Sequence, residues 1–155
     1  MRPRFQLPPL LARLHARIEF HDEYERAQRG FFIAELDRRE GGAVAAQPIL
    51  LYVTPAHVHG PPKSGPQPPD WVADAAGDDA ADAARIEAFA RRGVAEHWRL
   101  RSEPDGATAI ECRWEVHPAE GRYAQLAEFR GAERVISPTF PDLELRPADL
   151  DDPGP

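Results

Sequence analysis

The chain has 155 residues, of which 42% are hydrophobic and 29% are charged. This composition supplies enough apolar side chains for one domain with its own core, and it excludes a chain that stays unfolded for lack of them. The formal net charge of −7 argues against a general affinity for nucleic acid, because phosphate contacts need a basic surface. A nuclease cleft that metal ions neutralise locally is still compatible with this charge.

Cysteine content and the N-terminal residues bear on where the protein works. The single cysteine, Cys112, excludes an internal disulfide and fits a reducing compartment. Residues 1–20 include several leucines, but Arg13, His15 and Arg17 interrupt any apolar run. We therefore expect neither a secretory signal nor a membrane span, and we predict a cytoplasmic protein with no membrane partner.

The first half of the chain predicts one long helix and one buried strand. Apolar residues recur at helical spacing from residue 9 to about residue 40, and Gly41 and Gly42 follow as a helix end. The short apolar run at residues 49–53 is typical of a strand that is covered on both faces. Residues 60–70 are rich in proline and glycine and predict a loop.

The second half predicts a strand, a helix and then several strands. "WVADAA" (71–76) is a strand candidate, and "DDAADAARIEAFARRG" (78–93) is a helix with acids in its first turn and arginines in its last. "VAEHWRLRSE", "ATAIECRWEVHP" and "GRYAQLAEFRG" predict antiparallel strands joined by glycine turns. "LELRPADL" predicts a last strand, and residues 151–155 are expected to form a disordered tail.

This order of elements predicts a single α+β domain over residues 1–150, with a mixed β-sheet and flanking helices. The strands at 49–53 and 71–74 are expected to be neighbours, with the helix at 82–92 packed on one face of the sheet. Trp98, Trp114 and Tyr123 lie on consecutive candidate strands and are expected to share one buried or half-buried surface.

Three stretches resemble the Uma-type restriction endonucleases, a branch of the PD-(D/E)xK nuclease superfamily. "ARRGVAEHWRL" is similar to that family's Gly-Val-x-Glu-Tyr-Trp pattern, with His97 in place of the tyrosine. "ISPTFPDLELRPADL" is similar to its Ser-Pro-x-x-Pro-Gly-Leu-x-Leu signature, with Asp142 in place of the glycine, and "PPDWVADA" is similar to its Pro-Asp-Leu-Val-Val-Glu-Val strand. The resemblance covers residues 21–150 and implies a restriction-endonuclease-like sheet, DNA as the partner and Mg²⁺-dependent hydrolysis of phosphodiesters.

The resemblance also implies a set of site residues. In the superfamily, an Asp and a Glu on adjacent strands hold Mg²⁺, the metal activates a water, and a lysine assists. The second carboxylate corresponds to Asp74 and the lysine to Arg85, so these are the candidate catalytic residues and Asp74 is the candidate metal ligand. Arg85 keeps the positive charge but cannot act as a base. The first carboxylate position holds Ile49, which cannot bind a metal.

The resemblance and the residues at its site positions leave two functions open. One is a divergent endonuclease, impaired by Ile49, that uses Mg²⁺ if it is active. The other is a non-catalytic binding or dimerisation module, a homodimer for example, that kept the nuclease fold. His57 and His59 have a spacing that could chelate a metal, but no third ligand is evident near them.

Each candidate also has a structural interpretation. Asp74 would then be a polar residue at a strand end, and Arg85 a surface arginine instead of an anion-binding group. Asp78, Asp79 and Asp82 would cap the second helix and favour its positive end, in place of forming a substitute metal site. His97 and Trp98 are interpreted as packing residues of the sheet.

Overall fold

The structure, a computed structural model, describes residues 8–25, 31–36, 48–53 and 69–151. These residues include two helices, α1 (Pro9–Glu25) and α2 (Asp79–Arg91). The strands are β1 (Phe31–Leu36), β2 (Pro48–Val53), β3 (Trp71–Ala75), β4 (Glu96–Ser102), β5 (Thr108–His117) and β6 (Arg122–Arg130). Short 3₁₀ helices span Pro118–Glu120 and Pro147–Leu150.

The six strands form one sheet in the order β1-β2-β3-β4-β5-β6. Neighbouring strands are antiparallel except β3 and β4, which run parallel and are connected through α2. A helical crossover is expected there, because a tight turn cannot join parallel neighbours. β2 lies beside β3, with Leu50 opposite Ala73. The predicted α+β fold, a mixed sheet with flanking helices, and the predicted pairing of these two strands are confirmed.

The main core lies between α1 and one face of the sheet. Apolar residues of α1 recur every three or four positions, so they line one side of the helix, and they are buried. These residues are Leu10, Leu11, Leu14 and Ile18. The rings of Trp71 and Trp98 meet edge to face in this core, with centroids 5.3 Å apart. This is a favourable arrangement for two buried aromatic side chains.

α2 covers the opposite face of the sheet. Val72, Phe89 and Val94 form a small apolar cluster there. Because side chains alternate along a strand, Trp71 and Ala73 belong to the α1 side of β3, and Val72 belongs to the α2 side. The same alternation directs Asp74 toward α2.

The segment after β6 packs onto the α1-side core without forming the expected strand. The prediction of a strand at "LELRPADL" is wrong, because Pro147–Leu150 is a 3₁₀ helix. Pro147 has no N–H to contribute to a sheet and suits the first position of a helical turn. Arg146 N donates to Asp149 Oδ2 at 2.9 Å, which closes this turn. Asp151, the first residue of the expected tail, accepts a hydrogen bond from Thr108 N.

The predicted N-terminal helix is too long. α1 ends at Glu25, and Phe31–Leu36 forms β1, which pairs antiparallel with β2. Aromatic and β-branched residues such as Phe31, Phe32 and Ile33 favour strands, and the apolar partner strand outweighs the helical spacing. The expected helix end at residues 41–42, the loop at residues 60–68 and the tail residues 152–155 lie outside the described residues.

The expectation of one surface for three aromatic residues is partly wrong. Trp98 and Trp114 belong to the α1-side core. Tyr123 instead stacks against His97, the neighbour of Trp98 that faces the other way. Glu115 has a φ of 56°, which interrupts the extended backbone of β5 next to this part of β6.

Candidate functional site

The candidate site is built by β3, α2 and β4. Asp74 is the fourth residue of β3 and lies beside Arg99 of β4 in the parallel pairing. Asp78 caps the start of α2, with an extended backbone and an Oδ2 atom that accepts from Ala81 N at 3.2 Å. The cap fixes the residue at which α2 begins, and it thereby sets which side chains of the helix lie over β3. The interpretation of Asp78 as a cap is confirmed.

Asp74 lies in the buried interface between β3 and α2 and is only 2% exposed. Its Oδ2 is 3.1 Å from Nη2 of Arg85, in an ion pair that lacks the alignment of a hydrogen bond. Its Oδ1 is 3.0 Å from Nε2 of His97. A carboxylate oxygen accepts hydrogen bonds, so the His97 tautomer with its hydrogen on Nε2 suits this contact. Both carboxylate oxygens of Asp74 are therefore engaged by cationic or polar groups of the protein.

The partners of Asp74 are held by packing. Arg85 is 2% exposed and lies four residues before Phe89, on the same side of α2. The His97 ring stacks between Phe89 and Tyr123, with centroid distances of 5.3 Å and 6.4 Å. The Tyr123 hydroxyl donates to Val94 O at 2.8 Å, and burial raises its pKa, so it stays a neutral donor. Rigid neighbours thus fix the positions of both partners of Asp74.

The structure brings Asp74 and Arg85 together and adds His97 to them. We call these three residues the Asp74 cluster. The interpretation of Arg85 as a surface arginine is wrong, because α2 buries it against β3. Asp74 does lie near a strand end, but it is buried. His97 packs in the sheet as expected, yet its contact with Asp74 was missed. The sequence signal for this contact was the position of His97 beside Trp98. Side chains alternate along a strand, so a tryptophan that faces the α1-side core places His97 on the α2 side.

Ile49 and Asp74 lie on neighbouring strands of the sheet. β2 and β3 pair with Leu50 opposite Ala73, and Ile49 and Asp74 are the next residues of the two strands beyond this pair. The position at which the resemblance requires the first carboxylate is therefore on the strand that pairs with β3, and it holds an apolar residue.

A second polar cluster lies at the start of α2, around Arg99. Nη2 of Arg99 is 2.8 Å from Asp82 Oδ2 and 3.0 Å from Asp79 Oδ1, and Nη1 is 3.2 Å from Glu111 Oε2. Burial lowers the pKa of Arg99, but hydrogen bonds to these acids more than offset this and raise the pKa above its ordinary value. Asp82 Oδ2 also accepts from Gly77 N at 2.8 Å. The carboxylates of Asp79 and Asp82 thus balance an arginine.

Glu96 connects two of the stretches that carry the resemblance. It is 1% exposed, and its Oε2 accepts hydrogen bonds from Trp98 Nε1 and, at 2.6 Å, from Ser137 Oγ. Its Oε1 accepts from Thr139 N at 2.9 Å, and Ser137 Oγ accepts from Phe140 N at 3.1 Å. The buried carboxylate therefore holds the segment after β6 against the sheet, which is a structural role.

The donors around Asp74 are a poor match for a Mg²⁺ ion. Mg²⁺ requires an octahedral shell of oxygen atoms and usually keeps several waters, whereas this cluster offers one buried carboxylate beside a guanidinium. In the described ranges, no group of three or more His, Cys, Asp or Glu side chains is arranged to hold a metal ion. His57 and His59 lie outside those ranges.

Comparisons with known proteins add no relative to this description. No protein-family model matches the chain, and no curated protein matches it. The resemblance to the Uma-type endonucleases consequently stays a prediction that rests on the three stretches. Neither of the two helices that the structure describes combines the length and the apolar character needed to cross a membrane.

Proposed function

We propose that this protein is a non-catalytic, cytoplasmic binding module with a restriction-endonuclease-like fold. In this proposal, the residues at the nuclease positions form a structural ion pair instead of a metal site. The single observation that carries the proposal is the set of contacts of Asp74. Its two carboxylate oxygens contact Arg85 and His97 in a buried interface.

Charge balance supports this reading of the Asp74 cluster. Arg85 is a permanent cation, and it already neutralises the one carboxylate that a metal would use. A Mg²⁺ ion would have to displace a guanidinium that α2 holds in place, and it would have to bring its waters into a buried interface. Both steps cost free energy that a single carboxylate does not offset.

The resemblance implies DNA as the partner, but the composition argues against it. A net charge of −7 disfavours contacts with a phosphate backbone. We therefore propose that the module binds protein, with a second copy of the chain as the first candidate. Light scattering after gel filtration, at several protein concentrations, measures that association directly.

The alternative is a divergent Mg²⁺-dependent endonuclease. One observation favours it: β2, which contains position 49, pairs with β3, which contains position 74, and the superfamily's two metal-binding carboxylates lie on adjacent strands. If the chain is an active nuclease, a further carboxylate must reach Asp74 when the metal binds.

Nicking of supercoiled plasmid by the purified protein separates these functions. With Mg²⁺ or Mn²⁺, we expect no cleavage by the unmodified chain, by Asp74→Ala or by the control Asp142→Ala, which changes an exposed aspartate. Nicking by the unmodified protein that Asp74→Ala abolishes and Asp142→Ala preserves would establish the endonuclease and overturn the proposal.

A further inference from the structure

A pocket of about 540 Å³ opens at the carboxyl ends of β3 and β4, beside the first turn of α1. None of the residues of the Asp74 cluster lines it. Pockets of about 300–1,000 Å³ are the usual size for small ligands, and the carboxyl ends of parallel strands are where α/β sheets commonly bind them. The size and the position of this pocket therefore both suit a small molecule.

The walls of the pocket have two different characters. Leu10, Ala76 and Leu100 provide apolar surface from α1, from the residue after β3 and from β4. Arg13, Arg99 and Arg101 also line it and place three cations around one cavity, and Asp79 adds one carboxylate, which is paired with Arg99. A ligand that fits both parts needs an apolar body and a negatively charged group.

Charge balance decides how much negative charge the pocket can accept. Arg99 is paired with Asp79, Asp82 and Glu111. Arg101 is likewise paired: its contacts are Glu103 at 3.2 Å, Glu111 at 3.2 Å and Glu128 at 2.8 Å. These acids neutralise both arginines, and they would repel a ligand that carries several negative charges.

Arg13 is different from the other two arginines. It is half-buried, and its Nε donates to the carbonyl oxygen of Leu150 at 2.7 Å. A carbonyl oxygen fixes the guanidinium but does not neutralise its charge, and among the described residues no carboxylate forms an ion pair with Arg13. Its Nη1 and Nη2 groups are suited to a bidentate contact with a carboxylate.

We propose that this pocket binds a small amphipathic monocarboxylate, with its carboxylate on Arg13 and its apolar body against Leu10, Ala76 and Leu100. Arg13 has no carboxylate partner within the described ranges, and one such cation suits a single negative charge, so the pocket is a poor site for phosphate or for nucleic acid. This inference goes beyond the proposed binding function and does not depend on the state of Asp74.

Titration of the ¹⁵N-labelled protein with hexanoate, followed by NMR, tests the proposal. We expect saturable shifts of the amide signals of residues 75–77 and 100–102, which line the pocket. Hexanol carries the apolar body without the charge, and inorganic phosphate carries charge without the body. Both should shift these signals at least about tenfold more weakly at equal concentration, because each lacks one of the two contacts. The absence of saturable shifts with hexanoate, or equal shifts with phosphate or hexanol, would overturn the proposal.

Arg13→Gln and Arg17→Gln form a matched pair for the same titration. Both remove one positive charge from α1, but Arg17 is exposed and does not line the pocket. Hexanoate binding should weaken at least about tenfold in Arg13→Gln and stay unchanged in Arg17→Gln. Ala76→Leu fills the pocket and keeps Arg13, so it provides an independent test if Arg13→Gln does not fold. Unchanged hexanoate binding in either Arg13→Gln or Ala76→Leu contradicts the assignment.

Discussion

Replacing Asp74 with asparagine removes the negative charge from the Asp74 cluster and keeps the size of the side chain. Asp74 and Arg85 are each 2% exposed, so solvent cannot replace the lost charge beside the guanidinium. Removing one partner of a buried ion pair typically destabilises a protein by about 3–5 kcal/mol. We expect Asp74→Asn to lower the free energy of unfolding by that amount. An exposed ion pair would contribute less than about 1 kcal/mol, so the two cases are separable.

Urea unfolding followed by tryptophan fluorescence measures this change. Arg85→Met and the double variant complete a double-mutant cycle, in which we expect a coupling energy of about 2 kcal/mol or more between Asp74 and Arg85. Asp142→Asn is the control, because it removes the same charge from an exposed position and should change stability by less than about 0.5 kcal/mol. A loss below about 1 kcal/mol for Asp74→Asn, or additive single changes, would refute the buried ion pair.

Further changes, at Trp98, in the contacts of Glu96 and at Cys112, test other parts of the structure. Trp98→Ala should cost about 3–5 kcal/mol, because the side chain is fully buried, and a loss well under 1 kcal/mol would contradict its place in the core. Glu96→Ala should lower the free energy of unfolding by at least about 3 kcal/mol and speed proteolysis after β6, because three hydrogen-bond donors lose their acceptor. Ser137→Ala removes one of these donors and should lower it by about 1 kcal/mol. Cys112 should react with Ellman's reagent only as fast as the protein unfolds, and immediate reaction would show that it is accessible. Burial raises the pKa of the Cys112 thiol above its ordinary value of 9.0. The thiol therefore contributes stability that is fully present below pH 9 and is lost as the pH rises, because the thiol ionises first in the unfolded chain. Cys112→Ala should consequently flatten the fall in stability above pH 9.

Local patterns predicted the second half of the fold well. The acids that open α2, the arginines that end it and the glycine turns between β4, β5 and β6 are all short-range signals, and each of these elements forms where it was predicted. The apolar run of β2 also predicted its burial at Leu50 and Tyr52. These features depend on neighbours in the sequence, so they can be predicted without knowledge of the tertiary structure.

Three features that depend on distant partners were not predicted, although the pairing of β2 with β3 was. The segment 31–36 has spacing compatible with a helix, and pairing with β2 makes it a strand. The contact of His97 with Asp74 follows from the parallel pairing of β3 with β4, which the sequence pattern did not specify. The link from Glu96 to Ser137 spans 41 positions, so no local rule predicts it.

Binding of Mn²⁺ to the purified protein, measured by electron paramagnetic resonance, is the most direct test of the claim that Arg85 and His97 have replaced a metal at Asp74. Mn²⁺ accepts the same carboxylate ligands as Mg²⁺ and reports its own occupancy. We predict no saturable binding by the unmodified chain at millimolar Mn²⁺, and we predict that the double variant Ile49→Asp, Arg85→Lys gains a site. Saturable binding by the unmodified protein that disappears in Asp74→Asn would contradict the claim.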